Sequence, residues 1–136
     1  MTRTEHVLCV AGLALFLLAL LEGFFIPLFS RVDAARAVHT TALGSGTFLI
    51  AVGLLWPRLA FPSGPSSVWG ALLAGSLYAI AIGLTIGAIY RVDGEHDHAV
   101  AAGISLVLNA AGGAVLMVAL VAVLLACRPR ANESNS

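Results

Sequence analysis

A single carboxylate, Glu22, lies inside the first of four long apolar segments and is the first candidate for chemistry. Hydrophobic residues form 60% of the 136-residue chain and charged residues only 10%. Ionising an acid within an apolar helix is costly, and acids there are rare. A neutral Glu22 could donate a proton, which makes it a candidate general acid. The alternative is a neutral structural acid that hydrogen-bonds a neighbouring helix.

His39 and Asn109 are the next candidates, because each places a polar nitrogen within an apolar segment. His39 lies near the start of the second segment, in the same half of the bilayer as Glu22. It could act as an acid/base partner or a ligand, or it could be an interfacial histidine that caps helix ends. Asn109 lies in the middle of the fourth segment, where asparagine often serves only to hold helices together.

The remaining polar side chains within the segments are concentrated on one side. Ser45 and Ser105 fall in the same half as Glu22, toward the first and third connections. Tyr78 could supply a phenol at similar depth, or it could simply be a packed aromatic. We therefore expect a buried pocket that opens toward that side.

The sequence gives weak signs of a metal or haem site. His96 and His98 alternate with Glu95 and Asp97, a spacing more typical of a solvated polar loop than of a metal centre. We therefore predict no metal site and no cofactor. A haem- or metal-binding protein that uses His39 with His98, or with a second subunit, is an alternative that an absorption spectrum of the pure protein would decide.

The apolar segments are long enough to cross a membrane, because roughly 20 apolar residues in a helix span a hydrocarbon core of about 30 Å. The sequence predicts an all-α fold, an integral membrane four-helix bundle forming one domain over residues 1–127. The predicted spans are 7–30, 37–56, 67–90 and 99–127, with connections at 31–36, 57–66 and 91–98 and a disordered polar tail at 128–136.

Charge and composition indicate the location and exclude one class of partner. Seven basic residues, all of them Arg, balance seven acids, so nucleic acid is not an implied partner. The absence of Lys and the abundance of Ala, Gly and Leu are typical of a GC-rich bacterial genome. We predict a multi-pass protein of the bacterial inner membrane, with both termini in the cytoplasm because slightly more Arg residues lie on that side.

Small residues recur at every fourth position of the third segment, at Ala71, Gly75, Ala79, Gly83 and Gly87. Such a stripe lets another helix approach closely. It could serve packing within the chain or between chains. We expect a homo-oligomer through this stripe, because a four-helix chain of this size often needs more packed surface than it has.

Two stretches of the sequence resemble the hydroxylaminobenzene mutase family, small four-helix membrane proteins of nitroarene-degrading bacteria. The first segment closes with Gly-x-x-Ile-Pro-x-Phe, from Gly23 to Phe29. The second carries Ala-x-His ending at His39, then Gly-x-Phe-Leu and Gly-Leu-Leu-Trp. The chain length and the four-segment layout also fit this family.

The resemblance implies an isomerase that converts hydroxylaminobenzene to 2-aminophenol by moving the hydroxyl group from nitrogen to the ortho ring carbon. Protonating the N–OH oxygen weakens the N–O bond, and a water-poor pocket would hold the departing oxygen near that carbon. On this hypothesis Glu22 is the acid, His39 removes the ring proton and Asn109 orients the N–OH group. The expected substrate contacts are Phe24, Phe25, Ser45, Phe48, Tyr78 and Ser105.

A small proton-coupled multidrug exporter is the main alternative. Such exporters are also four-helix chains with a carboxylate in the first span, and Glu22 would then exchange protons for cationic drugs. The connections and the tail are longer here, and the aromatic pattern of that family is not visible around the third segment. Cation-stimulated proton release from the purified protein would distinguish an exporter from an isomerase.

Overall fold

A computed structural model describes residues 2–29, 32–61, 65–90 and 99–127. Within them lie four long helices, α1 (Arg3–Phe25), α2 (Val32–Leu55), α3 (Ser66–Ile89) and α4 (Ala99–Ala126), and two 3-10 turns, Ile26–Leu28 and Trp56–Arg58. All four helices are long and apolar enough to cross a membrane. The predicted all-α integral membrane bundle is therefore confirmed. The third connection, 91–98, and the predicted tail, 128–136, lie outside the described residues.

The first helix begins before the predicted span, because its N-terminus is capped. The Thr2 side chain accepts a hydrogen bond from the Glu5 backbone N–H at 3.2 Å. The Glu5 carboxylate accepts one from the Thr2 backbone N–H at 2.9 Å. This capping box satisfies N–H groups that have no partner within the helix. The helix therefore extends to Arg3, through polar residues that hydropathy alone would exclude.

The first helix also ends earlier than predicted. α1 gives way after Phe25 to the 3-10 turn Ile26–Leu28, which contains Pro27. Proline cannot donate the i→i−4 hydrogen bond, and its ring crowds the preceding turn. Glu22 therefore lies in the last turn of α1, nearer to the helix end than the predicted span implied.

The second helix takes in most of the predicted first connection. α2 begins at Val32 and carries Asp33 in its first turn, where the helix dipole favours a negative charge. Arg36 lies 4.0 Å from Asp33 in an exposed i,i+3 pair, which adds little stability. Polar character alone therefore does not mark the break between α1 and α2.

The helices pair as two hairpins, α1 with α2 and α3 with α4, and α3 joins them by packing on α2 and α1. α1 and α2 approach at glycines. A Cβ atom on Gly12 would lie 2.7 Å from the Gly46 carbonyl oxygen, so only glycine fits there. The core between the hairpins includes the fully buried side chains of Leu8, Leu49 and Leu73.

The small-residue stripe of α3 lies in two environments. A Cβ atom on Gly83 would lie 2.7 Å from Asn109 Nδ2, and one on Gly87 would lie 3.0 Å from Ser105 Oγ. These two glycines therefore pack within the chain, against α4. Gly75 has open space beside it. A homo-oligomer through the stripe stays a prediction.

Candidate functional site

A cavity of about 390 Å³ lies between α1 and α3, with Glu22 in its wall. Its volume falls in the range of small-molecule sites, about 300–1,000 Å³, which are mostly apolar with a few placed polar groups. The apolar wall is formed mainly by Leu15, Leu18, Leu21, Phe25, Phe29, Ile82 and Ile86. The polar side chains in the wall are Glu22, Tyr78 and Thr85.

Glu22 is joined to α3 by a hydrogen bond with Thr85. The distance from Thr85 Oγ1 to Glu22 Oε1 is 2.9 Å. The same hydroxyl lies 2.9 Å from the Ala81 carbonyl oxygen, one helical turn earlier. Glu22 and Thr85 are both half-buried. The hydrogen bond therefore holds the carboxyl group in the cavity wall, next to apolar side chains.

Tyr78 forms the other polar link between α3 and α1. Its hydroxyl donates to the Ala11 carbonyl oxygen at 2.8 Å. About two helical turns of α3 separate Tyr78 from Thr85, so the two bonds tie the helices together at two levels of the cavity. The phenol oxygen can still accept a hydrogen bond from a molecule in the cavity.

His39 lies against the backbone of α1. Its Nδ1 atom is 2.7 Å from the Ala19 carbonyl oxygen, which can only accept, so Nδ1 carries the proton and donates. In the neutral ring, Nε2 is then left as an acceptor. His39 is not among the residues that line the cavity. Its role as the base stays a prediction.

Asn109 and Ser105 lie at the contact between α3 and α4. Asn109 Nδ2 donates to the Ser105 carbonyl oxygen at 2.8 Å, and Ser105 Oγ donates to the Gly83 carbonyl oxygen at 2.7 Å. Neither side chain lines the cavity that holds Glu22. The structure therefore does not bring Asn109 to Glu22, and its role in orienting a substrate stays a prediction.

The aromatic and hydroxyl contacts expected for a substrate are divided between different surfaces. Phe25 lines the cavity, whereas its neighbour Phe24 is 82% exposed on the outer surface of α1. Ser45 and Phe48 line a second groove, of about 340 Å³, to which α2, α3 and α4 contribute. Of the six predicted contacts, only Phe25 and Tyr78 share the cavity with Glu22.

Metal ligands do not cluster in the described part of the chain. There, no three His, Cys, Asp or Glu side chains come together. The alternating residues from Glu95 to His98 lie outside the described residues.

Thr85 is the site residue that sequence reasoning missed. A threonine within a helix ordinarily bonds its hydroxyl to the carbonyl oxygen one turn earlier, so it attracts little attention. A comparison of how deeply each polar residue lies in the membrane could have identified Thr85. α1 and α3 run in the same direction, and Glu22 and Thr85 each lie within about one turn of the same end of their helices.

The model of the styrene oxide isomerase family matches residues 4–128 of this chain. The chain belongs to that family. Two curated relatives of this chain are hydroxylaminobenzene mutases of Ectopseudomonas oleovorans. HabB is 42% identical over 53 residues, which are 39% of this chain and 32% of the relative. HabA is 34% identical over 86 residues, which are 63% of this chain and 64% of the relative.

These matches confirm the resemblance to hydroxylaminobenzene mutases. The chain spans less than two thirds of the length of either relative. No solved structure matches it. The family match includes the positions of Glu22, His39 and Thr85, so the described cavity lies wholly within the part that defines membership of the styrene oxide isomerase family.

Proposed function

We propose that this chain is an isomerase that converts hydroxylaminobenzene to 2-aminophenol, moving the hydroxyl group from nitrogen to the ortho ring carbon. The observation that carries the proposal is an acid, Glu22, in the wall of a largely apolar cavity of about 390 Å³. The names of the two relatives support this substrate. Substrate and product are isomers, so the reaction needs no external oxidant, reductant or group donor.

Glu22 acts first as the acid. Its carboxyl proton passes to the oxygen of the N–OH group, and the N–O bond breaks with both electrons going to oxygen. Positive charge spreads over nitrogen and the ring, and a water molecule is left in the cavity. Proton donation by a positioned acid contributes about 10²–10⁴-fold to such a step.

The same water molecule then attacks the ortho carbon. Its oxygen forms the new C–O bond and returns one proton to the Glu22 carboxylate. The ring C–H proton is removed and nitrogen gains a proton, which restores aromaticity and gives the amino group. Glu22 lines the cavity and His39 does not, so the geometry favours the Glu22 carboxylate as the first acceptor of these protons.

The apolar wall keeps the oxygen in place. Phe25, Leu18 and Ile82 present hydrocarbon to the cavity, so few other water molecules compete for the cationic ring. Holding the reacting atoms together replaces a bimolecular attack by an effectively unimolecular one. This wall directs the oxygen to the neighbouring ortho carbon rather than to a distant ring position.

An aryl epoxide is a second candidate substrate, and the family match over residues 4–128 favours it. Opening an epoxide next to an aromatic ring begins in the same way, with a proton donated to oxygen and positive charge developing beside the ring. The same family match favours an isomerase over a proton-coupled exporter.

The test is conversion by membranes that contain the whole chain, supplied with hydroxylaminobenzene or with styrene oxide and no added cofactor. We expect membranes that contain the protein to form 2-aminophenol and control membranes to form none. Absence of conversion of both substrates by folded protein would refute the proposal. A haem absorption band in the purified active protein would instead favour the haem-binding alternative, in which His39 would hold the group and its iron would supply Lewis-acid activation of the oxygen.

A further inference from the structure

The single hydroxyl group of Thr85 contacts two oxygen atoms. We propose that Thr85 is a positioning residue whose single hydroxyl proton turns from Ala81 to Glu22 when Glu22 gives up its own proton. Oγ1 lies 2.9 Å from Glu22 Oε1 and 2.9 Å from the Ala81 carbonyl oxygen. The inference rests on the proposed function of Glu22 as the acid.

The count of protons requires two arrangements. A hydroxyl group donates one hydrogen bond and can accept others, whereas a carbonyl oxygen can only accept. With Glu22 ionised, one Thr85 proton must serve both acceptors in a three-centre bond or choose between them. With Glu22 protonated, each 2.9 Å contact has a proton of its own, because Thr85 donates to Ala81 and accepts from Glu22. An ionised Glu22 has no proton to give, so Thr85 must then donate to it.

Turning the hydroxyl leaves no polar group without a partner. The Ala81 carbonyl lies within α3, where it also accepts the backbone N–H four residues later, that of Thr85 itself. It stays paired when the hydroxyl turns away. The new bond to the carboxylate is charge-assisted and therefore stronger than the bond it replaces.

Only a rotation about the Cβ–Oγ1 bond is needed, and no heavy atom moves. Among residues 2–29, 32–61, 65–90 and 99–127, Thr85 is the one side chain that hydrogen-bonds Glu22, and the Tyr78 hydroxyl is engaged with Ala11. A donor already in place where charge develops costs no reorganisation during the reaction. Thr85 thus supports both charge states of the acid.

The experiment compares Thr85→Val, which keeps the shape and removes the hydroxyl, with Thr85→Ser, which keeps the hydroxyl. The purified chain in lipid is studied by infrared spectroscopy, and the C=O stretch of the protonated Glu22 is assigned by its loss in Glu22→Gln. We expect Thr85→Val to move that band to higher wavenumber, because the acid loses its acceptor. Thr85→Ser leaves it in place.

Turnover gives the second readout. We expect Thr85→Val to lower kcat by about 10- to 150-fold with KM little changed, the effect of one hydrogen bond to a charged group. Thr85→Ser should stay within about threefold of the wild type on the same scale. Thr85→Ala serves in place of Thr85→Val if the latter does not fold.

The inference is overturned if the band is unmoved by loss of the hydroxyl, or if the serine and valine variants lose kcat equally. It is also overturned if no protonated Glu22 band exists in the wild type. Failure of the proposed function looks different, because wild-type membranes would then convert neither substrate even while the band responded to Thr85→Val.

Discussion

The imidazole ring of His39 lies against Gly23 so closely that a Cβ atom on this glycine would come within 2.8 Å of the ring carbon Cε1. The same ring bonds the Ala19 carbonyl oxygen at 2.7 Å. α1 thus contacts His39 through the carbonyl group of Ala19 and through Gly23, which has no side chain. This pairing holds α2, about two turns after its start at Val32, beside the helical turn of α1 that carries Glu22.

Gly23→Ala should therefore destabilise the protein. The new methyl group must displace the ring or separate α1 from α2, and overpacking of this kind costs about 1–3 kcal/mol. Thermal unfolding in detergent measures the loss. Gly103→Ala is the matched control, because open space surrounds Gly103 in α4. Equal melting temperatures for Gly23→Ala and the wild type would show that the ring is not confined as described.

Phe25 and Phe24 form a matched pair for testing the cavity. Phe25 lines the cavity, whereas Phe24 is 82% exposed on the outer surface. We expect Phe25→Ala to raise KM for an aromatic substrate about 10-fold or more, the effect of losing 1–3 kcal/mol of apolar contact. Phe24→Ala should leave KM unchanged. Steady-state kinetics on membranes with equal protein levels decides, and equal KM values for the two variants would place the substrate elsewhere.

Trp56 is buried, with its ring centroid 4.7 Å from that of Phe61. Its Nε1–H is buried without a hydrogen-bond partner in the described structure, which costs about 1–3 kcal/mol. Trp56→Phe removes that cost together with some packing, so we expect a stability within about 1 kcal/mol of the wild type. Trp56→Ala should lose about 3–5 kcal/mol. If Trp56→Phe lost as much unfolding free energy as Trp56→Ala, the indole N–H would have a hydrogen-bond partner outside the described residues.

The sequence predicts the features that depend on residues close together in the chain, and it does not predict the contacts between different helices. The helices follow from local hydropathy, but the predicted first span ran through Pro27 to residue 30, past the end of α1 at Phe25. Phe24 and Phe25 differ because neighbouring residues of a helix point about 100° apart, and no local pattern says which of them faces α3. The contact between Glu22 and Thr85 was missed because it depends on which helices are neighbours.

The two residues between α3 and α4 illustrate the same limit. Asn109 and Ser105 are polar residues in an apolar segment, which made them candidates for a site. Gly83 and Gly87 let α4 close over α3, and both polar side chains then bond helix backbone or each other. Small residues on α3 thus determine which hydrogen bonds the polar residues of α4 form. The spacing of residues along α4 alone does not identify these partners.

The source of the oxygen in the product tests whether the cavity excludes bulk water during the reaction. In water labelled with oxygen-18, a confined water molecule that returns to the ring gives 2-aminophenol without label. We expect most of the product to be unlabelled, because the apolar wall formed by residues such as Leu18 and Ile82 limits exchange with bulk water. Mass spectrometry of the product measures this. Complete labelling would mean that bulk water attacks the ring.

The most direct test of the central claim, that Glu22 is the acid of an isomerase, is the turnover of Glu22→Gln. Asp33→Asn is the control, because Asp33 is a fully exposed acid outside the cavity. With equal protein levels and equal thermal unfolding, we predict that Glu22→Gln converts hydroxylaminobenzene about 10²–10⁴-fold more slowly than the wild type and that Asp33→Asn keeps full activity. Full turnover by Glu22→Gln would contradict the acid role and with it the proposed mechanism.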